Sequence, residues 1–136
     1  AYEIRNCDWS SDVCSSDLKG DRKLLNFGHT IGHAIESQYE LLHGEAISLG
    51  MVCAAHLSQK ETGFSETERL VSLLGKYGLP AYARFNAGKI FSMLKMDKKR
   101  KSGSIHFVLL DAIGKSRLGV IPLSAINKFL LSTTKW

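Results

Sequence analysis

NFGHTIGHAIE, residues Asn26–Glu36, decides how this chain folds. Ile31, Ala34 and Ile35 recur three and four residues apart, which places them on one face of an α-helix and does not suit the alternation of a strand. The helix is short and is entered through Gly28. His29 and His33, four apart, share another stripe of it. A tight connection, Ser37–Leu42, brings the chain to His43, at the head of a longer helix predicted from about Gly44 to Glu61. There Ile47, Met51, Ala54, Ala55 and Leu57 recur near helical spacing. Ala46, Ser48 and Gly50 are small enough for a neighbouring helix to come close. Thr62-Gly63 ends this helix, with glycine as its C-cap.

Downstream, Ser65 followed by Glu68 has the form of a capping box and predicts a helix to about Tyr77, closed by Gly78 and Pro80. Asn86 is a candidate cap for a helix carrying Ile90, Phe91 and Leu94. The basic stretch Lys98–Gly103 reads as a loop. Ile105–Leu110 and Arg117–Ile121 flank Gly114 as the two strands of a hairpin. A last helix starts near Pro122 and runs to about Leu131. No internal repeat interrupts this order, and the expected fold is mainly α with a small β-hairpin.

Upstream, Asp8–Leu18 reads DWSSDVCSSDL and suits neither structural period. Read back into codons, it matches a widely used sequencing-library adapter in one frame, and Ala1–Ile4 match the adapter's preceding part. Residues 1–18 are therefore expected to be translated adapter, outside fold reasoning, and residues 19–136 one native domain. The chain begins at Ala1 without a methionine, so native sequence is expected upstream. Setting 1–18 aside removes one arginine and four acids (Glu3, Asp8, Asp12, Asp17), and the net charge rises from +5 to +8. Cys7 and Cys14 go too. Cys53 alone makes neither a disulfide framework nor a cysteine zinc site, and a reduced, cytoplasmic setting fits.

A basic domain invites a nucleic-acid reading. Here the bases lack interleaved aromatics and are densest at Lys98–Lys101, which an anionic small substrate or an acidic partner domain explains as well. No nucleic-acid partner is expected. No apolar run approaches the roughly 20 residues of a membrane span, so no membrane partner is expected either.

The remaining chemistry lies in the histidines. Neutral imidazole is the commonest metal ligand, and a catalytic zinc takes three protein ligands and keeps one open position. Two helices side by side can bring two of these histidines onto one metal, but a third ligand is missing from the local pattern. On spacing alone such a pair is a weak signal and is more often solvent-facing or core histidines. His56, inside the long helix, and His106, alternating with apolar strand residues, read as structural. Cys53, among small and apolar residues, reads as a buried thiol.

Together RKLLNFGHTIGHAIE (Arg22–Glu36), LLHGEAISLGM (Leu41–Met51), MDKKRKSG (Met96–Gly103) and FVLLDAIG (Phe107–Gly114) resemble the C-terminal half of the 3-dehydroquinate synthase family. Order and rough spacing agree through nearly all of Lys19–Trp136. The resemblance implies a helical metal- and substrate-binding domain whose N-terminal NAD-binding α/β domain is missing. It implies a lyase of the shikimate pathway that turns 3-deoxy-D-arabino-heptulosonate 7-phosphate into 3-dehydroquinate and phosphate. NAD transiently oxidises a substrate hydroxyl, the carbonyl acidifies the neighbouring C–H, and phosphate leaves. The carbonyl is then reduced again, the ring opens and an aldol step closes the carbocycle.

By the same resemblance, His29 and His43 are metal ligands for zinc or cobalt, His33 handles protons, and Arg22, Asn26 and Lys98 hold the anionic sugar-acid phosphate. Lys99 is the alternative to Lys98. The implied parent is a cytoplasmic homodimer, and the chain alone is expected to be inactive, since the family's third metal ligand, a glutamate, lies in the other half. The fourteen residues from His29 to His43 are fewer than the family pattern holds, so the register of His43 is the point at issue. Glu36 and Glu45 are expected to make helix-side hydrogen bonds or to lie on the surface, not to ligate. The rival readings are a sibling sugar-phosphate cyclase, which tends to differ at the positions of Asn26 and His33, a metal-dependent alcohol dehydrogenase, and a non-enzymatic helical metal-binding module.

Overall fold

The computed structural model describes residues 21–97 and 103–133. A 3-10 segment, Asp21–Asn26, leads into α1 (His29–Glu36), α2 (His43–Thr62), α3 (Thr67–Lys76) and α4 (Ala87–Asp97). Strands β1 (Ser104–Ala112) and β2 (Lys115–Pro122) follow, then α5 (Leu123–Ser132). The strands pair antiparallel, Ile105 opposite Ile121 and Phe107 opposite Gly119, around a turn at Gly114. The fold is mainly helical with one small hairpin.

Helix α2 is the axis of the molecule. It is buried on every side from Ala46 to Gly50 and again through Val52–Ala55, Leu57 and Ser58, as befits a helix packed all round. On one side it meets α1 and the inward residues of β1. Ile31, Ile35, Leu49, Leu57, Ile105, Phe107 and Leu109 share that core with Ile126 and Phe129 of α5. On another side α3 packs Leu74 against Val52.

The approach of α1 to α2 is glycine on glycine. A Cβ on Gly50 would stand 2.1 Å from the Gly28 carbonyl oxygen and 2.6 Å from the Gly32 nitrogen. Gly28 itself has φ 81°, in the left-handed region where a side chain is strained, and starts α1 against the backbone of Met51. Backbone therefore lies on backbone where α1 begins.

The far end of α2 is tied to the hairpin by hydroxyls. Ser58 Oγ donates to the Ala54 carbonyl at 2.7 Å and accepts from the Leu110 N–H at 2.9 Å. The Thr62 hydroxyl reaches the carbonyls of Ser58 and Leu110. Without these two side chains the edge of β1 would meet an apolar helix with its polar groups unpaired.

Local signals account for most boundaries. Gly63, at φ 80°, caps α2 as expected, and the Lys89 N–H donates to Asn86 Oδ1 at 3.0 Å, so Asn86 caps α4. The α3 start differs from its expectation. Glu66 occupies the capping position, Ser65 is exposed and no side chain caps the helix. The Glu66 carboxylate instead accepts from Arg69 at 2.9 Å and from the Ile113 N–H at 3.3 Å. Those two donors, Arg69 foremost, hold its pKa below the ordinary carboxylate value. The reciprocal contact that Ser65 and Glu68 promised is found in half-form at α2, where the Leu42 N–H donates to Glu45 Oε2 at 3.0 Å. Cys53 is buried, as expected, and burial pushes its thiol pKa far up. Among the described residues no helix is long and apolar enough to cross a membrane.

Candidate metal centre

His29 opens α1, His33 follows one turn later, and His43 opens α2. The six residues between the helices are fixed at both ends. The Tyr39 N–H donates to the Ile35 carbonyl at 3.0 Å, and the Tyr39 hydroxyl accepts from the Asn86 N–H at 2.9 Å while its ring meets Phe85 edge to face. This short connection absorbs the reduced spacing, and His43 still turns toward α1. Ring centroids stand 5.4 Å apart for His29–His33, 5.8 Å for His33–His43 and 6.0 Å for His29–His43. One nitrogen from each ring lies within 4.8 Å of the other two.

Acceptors orient two of the rings. The Glu36 carboxylate, at the end of α1, accepts from His43 Nδ1 at 3.1 and 3.2 Å. An ionised carboxylate only accepts, so the proton belongs on Nδ1 and the lone pair on Nε2. The Phe27 carbonyl plays the same part for His29 Nδ1 at 3.3 Å. Both tautomers are assigned from these partners. Metal-ligating histidines are commonly fixed through the second ring nitrogen in this way. The donor set, three imidazoles open to solvent on one side, suits a divalent transition metal far better than magnesium or calcium, which take oxygen ligands.

His33 lies beside a cleft of about 210 Å³ between α1 and α4, lined also by Thr30, Ala34, Ser37, Met93 and Leu94. Arg22 and Asn26 are exposed on the 3-10 segment just before the Phe27-Gly28 turn, and that segment packs against the hairpin. In a 3-10 helix residues three apart eclipse, so these two point roughly a third of a turn from each other. Lys98 and Lys99 lie outside the described residues. His56 is half-buried and His106 exposed, and neither joins the cluster. Glu36, expected to make a helix-side hydrogen bond or to lie on the surface, instead bonds His43, a partner that was not foreseen. The two are seven residues apart across a loop, where no helical spacing rule applies.

A family model described as 3-dehydroquinate synthase C-terminal matches residues 4–100. The chain belongs to the 3-dehydroquinate synthase family. It is similar to the 3-dehydroquinate synthase of Bordetella pertussis, 38% identical over 144 aligned positions that take in 99% of this chain and 40% of that protein. The 3-dehydroquinate synthase of Pelobacter propionicus is 42% identical over 119 positions, 82% of this chain and 33% of that protein. The chain thus spans about 40% or less of the length of these relatives. Among solved structures, it resembles 2-deoxy-scyllo-inosose synthase complexed with carbaglucose-6-phosphate, NAD+ and Co2+. That likeness has a TM-score of 0.69 and 29% identity, over 83% of this chain and 35% of that one.

Proposed function

We propose that this chain is the metal- and substrate-holding half of a 3-dehydroquinate synthase, the phosphate-eliminating lyase that forms 3-dehydroquinate in the shikimate pathway. The observation that carries the reading is the convergence of His29, His33 and His43, with His29 and His43 each oriented by an acceptor on Nδ1. His29 and His43 hold a divalent metal, zinc or cobalt, through Nε2. That metal, when bound, supplies Lewis-acid polarisation of a substrate oxygen. His33, at the mouth of the cleft, moves protons, and Arg22, Asn26 and Lys98 hold the anionic sugar-acid phosphate. NAD and a further metal ligand come from the other half, so this chain alone is inactive. The parent works in the cytoplasm as a homodimer.

One feature supports dehydroquinate synthase over a sibling sugar-phosphate cyclase: Asn26 and His33, where the siblings tend to differ, are both kept. Residues 1–18 are proposed to be translated adapter, which requires that positions 4–18 contribute none of the family agreement.

The test is to recover the native sequence upstream of Lys19 from source DNA and assay the joined protein. It is expected to release phosphate from 3-deoxy-D-arabino-heptulosonate 7-phosphate only with NAD and a divalent metal, and His33→Ala is expected to lower kcat by about 10²–10⁴-fold. Turnover of a hexose 6-phosphate instead would assign the sibling chemistry.

The Glu36 contact carries its own expectation. Glu36→Gln keeps the side-chain shape but removes the charge that holds the His43 ring, and metal affinity is expected to fall about tenfold, the low end for an outer partner because the pair is solvent-exposed. Equilibrium dialysis reads it; unchanged affinity would mean that the contact orients nothing.

A further inference from the structure

Helix α4 starts with an incomplete cap. Asn86 Oδ1 accepts from the Lys89 N–H at 3.0 Å, and the Asn86 carbonyl accepts from the Ile90 N–H at 3.2 Å, so Asn86 is the capping residue. In a capping box the third helical residue returns an acceptor to the N–H of the cap. Here that residue is Lys89, whose ammonium carries donors only. The acceptor comes instead from another part of the fold. Tyr39 Oη takes the Asn86 N–H at 2.9 Å, and its ring meets Phe85 edge to face with centroids 5.0 Å apart.

Tyr39 is held at three points. Its N–H donates to the Ile35 carbonyl at 3.0 Å, its carbonyl accepts from the Leu41 N–H at 2.9 Å, and its hydroxyl lies on Asn86. The first contact ends α1, the second shapes the approach to α2, and the third reaches α4. Among the described residues, the other hydrogen bonds of Ser37–Leu42 stay within α1, α2 and the connection itself. Functional side chains stand on either side of this tie. His43 follows Tyr39 by four residues. Helix α4 brings Met93 and Leu94 to the cleft that His33 of α1 also lines. We propose that Tyr39 is a positioning residue: its hydroxyl ties the connection that carries His43 to the start of α4, and so keeps His43 in register with the cleft beside His33.

The kinetic consequence rests on the functional reading above; the tie itself does not. Arg22 and Asn26, assigned there to hold the substrate, lie on the 3-10 segment that packs against the hairpin, away from Tyr39. Loosening the tie therefore leaves substrate binding in place and displaces the groups that act on it. Small misplacements of that kind lower the rate of the chemical step, so the loss belongs in kcat and not in KM.

The test separates a tie from a mere helix cap. Tyr39→Phe keeps the ring and removes only the hydroxyl. Lys89→Glu gives α4 an acceptor of its own. In the 136-residue chain, amide hydrogen exchange read by NMR is expected to quicken about fivefold at Leu41 and Asn86 in Tyr39→Phe. The double variant with Lys89→Glu is expected to regain slow exchange at Asn86 but not at Leu41. In the joined protein, Tyr39→Phe is expected to lower kcat for phosphate release about tenfold with KM within about twofold of the parent. The double variant should stay as slow, and Lys89→Glu alone should match the parent. Recovery of both Leu41 protection and kcat in the double variant would make Tyr39 a helix cap only and overturn the proposal. A parental exchange rate at Leu41 or a parental kcat in Tyr39→Phe would overturn it too. If the unsubstituted joined protein releases no phosphate while Leu41 and Asn86 respond as expected, the functional reading fails and the tie stands.

Discussion

Gly50→Ala is expected to destabilise the chain by about 3 kcal/mol or more, at the upper end of the cost of overpacking, and to disperse the histidine cluster with it. Alanine normally gains up to about 1 kcal/mol over glycine inside a helix. At Gly50 that gain is overwhelmed, because the new methyl would stand 2.1 Å from the Gly28 carbonyl oxygen and 2.9 Å from the Gly32 Cα. These obstacles are backbone atoms and cannot swing aside. Helix α1 must move off α2, and it carries His29 and His33 away from His43. Gly75→Ala, in α3, is the control: nothing lies within 4 Å of the added carbon, so stability should hold or rise slightly. Urea denaturation of the two variants reads both. A Gly50→Ala protein as stable as its parent would show that α1 and α2 are not in backbone contact.

Ile35→Ala is expected to cost about 2–5 kcal/mol, the range for truncating a fully buried isoleucine. Ile35 is 0% exposed and belongs to the main core. Helix α1 has only eight residues, too few to persist in water without tertiary packing. The loss should therefore fall unevenly: metal affinity declines with stability although Ile35 touches no ring. Ile35→Val, which removes one methyl group, is expected to cost about 1 kcal/mol and to leave affinity unchanged. Thermal unfolding with and without Co(II) separates the two effects. An Ile35→Ala chain with parental metal affinity would show that α1 is held by contacts other than its core face.

Much of this was legible because local chemistry and tertiary packing agree. The spacing of Ile31, Ala34 and Ile35, the entry at Gly28 and the cap at Gly63 specify α1 and α2 to within a residue or two. Asn86 and Gly114 mark α4 and the hairpin turn in the same way. The 3-10 segment Asp21–Asn26 was not foreseen, since Arg22–Asn26 carries no periodic signal that separates it from an ordinary approach to α1. Ser65 misled because the helix begins one residue later than the motif implies, with Glu66 at the N-cap and its carboxylate held by Arg69 and by the Ile113 N–H, the latter distant in sequence.

The site was only partly readable. Spacing places His29 and His33 on one helix, but the angle between α1 and α2 decides whether His43 joins them. That angle follows from the closeness that Gly28, Gly32 and Gly50 permit. The cleft beside His33 needs Met93 and Leu94 of α4, sixty residues along the chain from it and beyond any local rule.

The two ends of α2 also differ in when they can form. Bringing His43 to His29 closes a loop of fourteen residues, whereas the Ser58–Leu110 bond closes one of fifty-two. The longer closure costs about 1 kcal/mol more in chain entropy, and contacts of larger sequence separation are made more slowly. The α1–α2 corner is therefore set to assemble first and the hairpin to dock onto it afterwards. During synthesis, the histidine cluster would be complete before the strands had left the ribosome.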